Sequence, residues 1–127
     1  MMKVGIVGLG MLGNAVALHL LDEGYDLTVY NRTKEKTIDV ERKGAKVVAT
    51  PKEVAKNSDL IITIVKDVYA IKQISVGSDG IIEGAHQRTI VADMSTISPN
   101  ESREISSIFQ EHGISKLDIP VMGGPNV

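Results

Sequence analysis

Gly8-Leu9-Gly10-Met11-Leu12-Gly13 stands between the apolar run Val4-Gly5-Ile6-Val7 and a helix-like stretch read from Asn14. Glycines at this spacing, directly after a strand and directly before a helix, suit the reception of a pyrophosphate. Gly8 permits the tight turn out of the strand, Gly10 lets the backbone approach phosphates where a side chain would collide, and Gly13 lets the helix pack closely on the strand. The N–H groups of the first helical turn and the positive end of the helix dipole then face the anion. The alternative for the same residues is a glycine-rich turn that binds nothing. About twenty residues further on, a carboxylate on the ribose 2′-hydroxyl would mark NAD. Tyr30-Asn31-Arg32-Thr33-Lys34 stands there instead, with no acid. A carboxylate repels a 2′-phosphate, whereas the planar fork of Arg32 pairs with one or stacks on the adenine. Asn31 and Thr33 can donate hydrogen bonds and Lys34 adds positive charge, so the pattern favours NADP over NAD. Alternatives stand beside these roles: a solvated charge for Arg32 and a helix cap for Thr33.

Such a loop needs a sheet to hold it. Short Val/Ile-rich runs at Lys3–Val7, Asp26–Tyr30, Lys46–Val48, Leu60–Val65, Thr89–Asp93 and Lys116–Ile119 mostly lack polar alternation, as in a parallel sheet covered on both faces. Between them lie helical signals. Asn14 to Glu23 carries Ala15, Val16, Leu18, Leu20 and Leu21 and stops at Gly24; Thr50-Pro51-Lys52-Glu53 and Ser98-Pro99-Asn100-Glu101 are capping boxes with proline at the first helical position; Ile105, Ile108 and Phe109 form one stripe. Gly77 and Gly80 punctuate a loop before the fifth strand. The alternation predicts an α/β fold: a Rossmann-type doubly wound, mainly parallel sheet with helices on both faces. The glycine loop and the segments after Val65 and Asp93 should meet at its carboxyl edge.

The chain has 127 residues, 43% hydrophobic, with a formal net charge of −2, which suits one domain with a core of its own. No basic stripe or set of stacking aromatics points to nucleic acid. Cysteine is absent, which excludes a disulfide frame and thiolate zinc, and no His/Asp/Glu grouping has metal-site spacing. Without a readable signal peptide or an apolar run long enough to span a membrane, a cytoplasmic protein is expected. His19, His86 and His112 fall away from the expected edge and read as structural. Asp93 and Asp118 end strands at that edge, where loop capping competes with scaffolding of a site.

Four segments together resemble the N-terminal domain of the β-hydroxyacid dehydrogenases, the family of 3-hydroxyisobutyrate dehydrogenase and of glyoxylate and succinic semialdehyde reductases, and more distantly of 6-phosphogluconate dehydrogenase. They are the Gly5–Gly13 signature, Tyr30-Asn31-Arg32-Thr33, Asp93-Met94-Ser95-Thr96-Ile97-Ser98-Pro99 and Asp118-Ile119-Pro120-Val121-Met122-Gly123-Gly124-Pro125. The resemblance implies that Gly8, Leu9, Gly10, Met11, Leu12 and Gly13 line the pyrophosphate and adjoining ribose, and that Asn31, Arg32 and Thr33 hold the 2′-phosphate. It places Val65 and Lys66 beside the cofactor, Thr96 near the nicotinamide ribose, Ser95 near the substrate, and Met122, Gly123 and Gly124 at the substrate carboxylate, mainly through backbone N–H groups. The chain departs from the pattern in Leu12 for the usual methionine, in a charged Lys66, and in Met122 for the usual serine, a hydroxyl replaced by a thioether that donates nothing.

The same resemblance implies that the catalytic lysine lies beyond residue 127, on a second, all-helical domain through which such proteins pair. Residues 1–127 are then expected to be the dinucleotide-binding domain of a longer enzyme that moves hydride between NADP(H) and a small hydroxyacid or semialdehyde, the isolated piece binding cofactor without turnover. A non-catalytic NADP(H)-binding module is the alternative.

Overall fold

Alternation along the central strands sends side chains to two cores. The computed structural model describes residues 2–119. In β1 (Lys3–Val7), Val4 and Ile6 face one side and Val7 the other; in β4 (Leu60–Thr63), Ile62 and Ile61 divide the same way. With β2 (Asp26–Tyr30), β3 (Lys46–Val47), β5 (Ile90–Asp93) and β6 (Ser115–Asp118) they form one six-stranded sheet, order β3-β2-β1-β4-β5-β6, every pair parallel. This is the expected doubly wound order, reversing between β1 and β4, where such sheets bind ligands.

Helices α1 (Met11–Asp22) and α2 (Ile38–Arg42), the latter preceded by a 3-10 turn at Lys34–Thr37, belong to one face of the sheet, where Ala17 and Val40 pack with Leu27 and Val29. On the other face lie α3 (Pro51–Lys56), α4 (Val68–Val76), α5 (Ile81–Gly84) and α6 (Pro99–Glu111). Val54, Ile71, Ile81, Ile105 and Phe109 seal that core, each at most 1% exposed. Burying such a side chain contributes roughly 1.5–3 kcal/mol.

Several boundaries differ from expectation. The first helix starts at Met11, because Gly10 is its N-cap and the Asn14 N–H already donates to the Gly10 carbonyl (2.8 Å). The β4 ladder stops at Thr63, since the Val65 N–H turns to a side chain, the Ser95 Oγ. Thr89 is taken up in a turn with His86 rather than in β5. Gly77 and Gly80 bound a turn, as expected, but the segments on either side of it are the helices α4 and α5, which the sequence did not single out. Asp67 caps α4 by accepting from the Ala70 N–H (2.9 Å), a start signal hidden by the absence of a following Glu or Pro. Ser98 forms its full capping box; Thr50 accepts from the Glu53 N–H, one half of the device. Thr33 precedes the 3-10 turn but its side chain caps nothing, which corrects the capping alternative.

Candidate cofactor cleft

The β1–α1 junction is built by close backbone contact. Gly8 has φ +108°, and a Cβ there would lie 2.0 Å from the Ile64 carbonyl oxygen. A Cβ on Gly13 would lie 2.0 Å from the Gly8 carbonyl oxygen, so α1 sits hard against the turn. Gly10 differs: its Cβ would meet nothing within 4 Å. The protein itself does not demand glycine at that position, and the open space lies at the first turn of α1. No side chain caps this helix and no acid stands in its first turn. Its leading N–H groups therefore present a cradle for an anion.

The loop is tied to the end of β2. The Gly8 N–H donates to the Tyr30 carbonyl (3.0 Å), the Leu9 N–H to Asn31 Oδ1 (2.8 Å), and Asn31 Nδ2 to the Thr33 carbonyl (2.9 Å). Asn31 thus joins the two segments that carry the sequence motifs. Leu9 is buried in the core and its amide is engaged, so it shapes the loop from behind, as Gly13 does.

A cleft of about 770 Å³ opens along this edge. Its lining brings together Gly8, Gly10, Met11, Leu12, Asn31, Arg32, Thr33, Val65 and Lys66 from the expected set. Arg32 is exposed and enters no ion pair among the described residues. Residues that sequence reading missed also line it: Lys36, Asp67, Tyr69 and Gln73. Lys36 could have been found by its charge, as the next cation after Arg32 and Lys34, and it stands in the 3-10 turn that follows Arg32; Tyr69 and Gln73 were hidden with α4. Asp67 brings a carboxylate into the cleft, committed to the α4 cap.

Ser95 and Thr96 follow β5, outside this lining. Ser95 Oγ accepts from the Val65 N–H (2.9 Å), and Thr96 is exposed. Met122, Gly123 and Gly124 lie outside the described residues. Asp93 is 3% exposed and accepts from Thr63 Oγ1 (2.8 Å) and the Ser95 N–H (3.2 Å), which makes it the loop cap weighed from sequence and also a link to β4. Burial pushes the Asp118 carboxyl up, but hydrogen bonds from Lys116 and Ser102 and the Lys116 charge outweigh this and hold it below the usual carboxylate range.

A doubly wound parallel sheet whose glycine turn, uncapped helix start and cationic second-strand end share one cleft at the switch point defines a nicotinamide-dinucleotide-binding domain. The chain belongs to the family described as the NAD binding domain of 6-phosphogluconate dehydrogenase, whose model matches residues 3–127. It is 40% identical over 125 residues to the uncharacterized oxidoreductase YfjR of Bacillus subtilis, covering 98% of this chain and 44% of that protein. It is 37% identical over 121 residues to a probable mitochondrial 3-hydroxyisobutyrate dehydrogenase of Dictyostelium discoideum, covering 95% of this chain and 38% of that one. Among solved structures, the imine reductase of Myxococcus stipitatus in complex with NADP+ superposes with a TM-score of 0.89 at 28% identity, over 98% of this chain and 42% of that one. Its V8 variant in complex with NAD+ gives 0.90 at 25% identity, over 99% and 43%. The chain thus spans less than half the length of these relatives. Among the described residues no helix is long and apolar enough to cross a membrane.

Proposed function

We propose that this chain is the cofactor-binding part of an NADP(H)-dependent oxidoreductase of the β-hydroxyacid dehydrogenase type, acting on a small hydroxyacid or semialdehyde. The observation that carries the cofactor half of the reading is the joint placement of an open α1 start beside Gly10 and of Arg32 and Lys36 on one cleft. The amides at Met11 and Leu12 receive the diphosphate, while Arg32, aided by Thr33 and Lys36, meets the 2′-phosphate. Nicotinamide, when bound, supplies the hydride chemistry. The chain's own residues hold and orient it: Asn31 fixes the glycine loop, and Val65 and Lys66 line the cleft beside it. The proton-transfer lysine belongs to the part of the enzyme beyond residue 127, as do the segments through which subunits would pair. The likeness to the probable 3-hydroxyisobutyrate dehydrogenase of Dictyostelium supports the substrate class.

The test is a titration of the protein with NADPH and NADH, repeated with Arg32→Asp. A charge-assisted, bidentate contact is worth roughly 1.5–3 kcal/mol, so NADPH affinity should fall at least about tenfold while NADH affinity changes little. Equal losses for both nucleotides would overturn the NADP assignment, and no binding of either would overturn the cofactor reading.

A further inference from the structure

We infer that Asp93 is a positioning residue of the cofactor cleft, acting through Ser95 on the backbone at Val65; the inference rests on the cofactor reading above. A carboxylate at 3% exposure is costly unless donors surround it. Asp93 enters no ion pair among the described residues, and two neutral donors meet its Oδ1, the Thr63 hydroxyl and the Ser95 N–H. A turn cap alone needs no such burial, since an exposed Asp makes the same turn. What burial adds is the tie to Thr63, the register partner of Asp93 on β4. The Met94 N–H donates to the Thr63 carbonyl (2.8 Å), so the exits of β4 and β5 are bound by backbone and side chain together.

Ser95, once set by Asp93, accepts the Val65 N–H. That N–H belongs to the same peptide as the Ile64 carbonyl against which Gly8 is packed. Contacts therefore run from the buried carboxylate to Ser95, to the peptide at Ile64 and Val65, and on to the glycine turn. Ile64, Val65 and Lys66 line the cleft beside that turn. Without Asp93 the Ser95 hydroxyl is no longer oriented, the Val65 amide loses its acceptor, and the wall of the cleft shifts. An amide oxygen at position 93 accepts the same two hydrogen bonds, so the role needs an acceptor and not a charge.

The experiment measures NADPH and adenosine 2′-monophosphate affinity, and amide hydrogen exchange at Val65, for the wild type, Asp93→Ala, Asp93→Asn and Ser95→Ala. Asp93→Ala and Ser95→Ala should weaken NADPH by about tenfold and accelerate exchange at Val65, whereas Asp93→Asn should stay within about threefold of the wild type. Binding of adenosine 2′-monophosphate, which has no 5′-phosphate to reach the glycine turn and so tests the Arg32 end, should be unchanged in all three; general loosening of the fold would lower it in parallel. Wild-type-like exchange at Val65 in Ser95→Ala, or Asp93→Asn as weak as Asp93→Ala, would overturn the inference. Should Asp93→Ala not fold, Ser95→Ala and Asp93→Asn carry the test. Accelerated Val65 exchange with no nucleotide binding by the wild type would overturn the cofactor reading and the cleft role while leaving the contact chain intact.

Discussion

The β1–α1 and β5–α6 junctions leave the same edge of one sheet, and their backbone donors meet different fates. At β5–α6, Ser98 accepts from the Glu101 N–H while the Glu101 side chain returns to the Ser98 N–H, and Asp93 takes the Ser95 N–H. The α4 start is likewise closed, by Asp67. At β1–α1 the cap residue is glycine, with no side chain to offer and open space where a Cβ would stand. One helix start is finished by the chain; the other is left open, where the proposed function puts the diphosphate. The difference teaches that the proposed diphosphate site coincides with a helix start the chain leaves open, and substitutions at the two junctions should separate binding from stability.

Gly13→Ala should have the largest effect. Its Cβ would collide with the Gly8 carbonyl, backbone that cannot step aside without moving α1. Overpacking of this kind costs about 1–3 kcal/mol, and nucleotide binding should be lost with the geometry of the turn. Urea unfolding and an NADPH titration check both; wild-type stability would mean that the tight approach is relieved elsewhere. Gly10→Ala is the sharper case. With nothing near the new methyl, stability should stay within about 0.5 kcal/mol of the wild type. NADPH affinity should nevertheless fall by tenfold or more, because the methyl occupies space assigned to the diphosphate. Undiminished binding by a stable Gly10→Ala protein would break the comparison.

The open junction was legible in the sequence because its meaning is carried by absences: glycines where side chains would obstruct, and no acid after Tyr30. The sheet was legible too, since short branched runs between glycine and proline signals have few other solutions. What could not be read depends on partners distant in sequence. The Asn31 amide side chain holds Leu9, 22 residues away, and Asp93 holds Thr63, 30 away. No local pattern announces such pairs. The α4 helix escaped because its cap, Asp67, lacks the reciprocal Glu that made Ser98 visible, and Tyr69 and Gln73 escaped with it.

At the closed junction the expectation reverses. Ser98→Ala removes one acceptor and dismantles the box, which typically costs about 1 kcal/mol. NADPH affinity should not change, because the α6 start is absent from the lining of the cleft. A lower urea midpoint with an unchanged dissociation constant is the expected pair of results, the mirror image of Gly10→Ala. A weakened dissociation constant would place α6 in the site and blur the distinction.

The smallest effect belongs to the far end of the same half. Lys116, its side chain 2% exposed, reaches Ser106 on α6 and the carboxylate of Asp118, which Ser102 also meets. These contacts clasp the edge strand to α6. The Asp118 pKa is depressed in the folded protein, so the native state binds its proton less readily than the unfolded chain does. The stabilisation is therefore complete above the unfolded-state pKa, about 3.9 for aspartate. It is lost as pH falls through the lower folded-state value. Because the carboxylate side chain is 49% exposed, solvent screening limits the effect; exposed pairs contribute about 1 kcal/mol or less. Asp118→Asn should accordingly lower the urea midpoint slightly at neutral pH, and its difference from the wild type should shrink in strong acid. Cofactor affinity should be indifferent throughout, since this clasp completes contacts within the chain and leaves no donor facing the cleft. A difference that grew as the pH fell would reverse the sign of the linkage and remove Asp118 from the clasp.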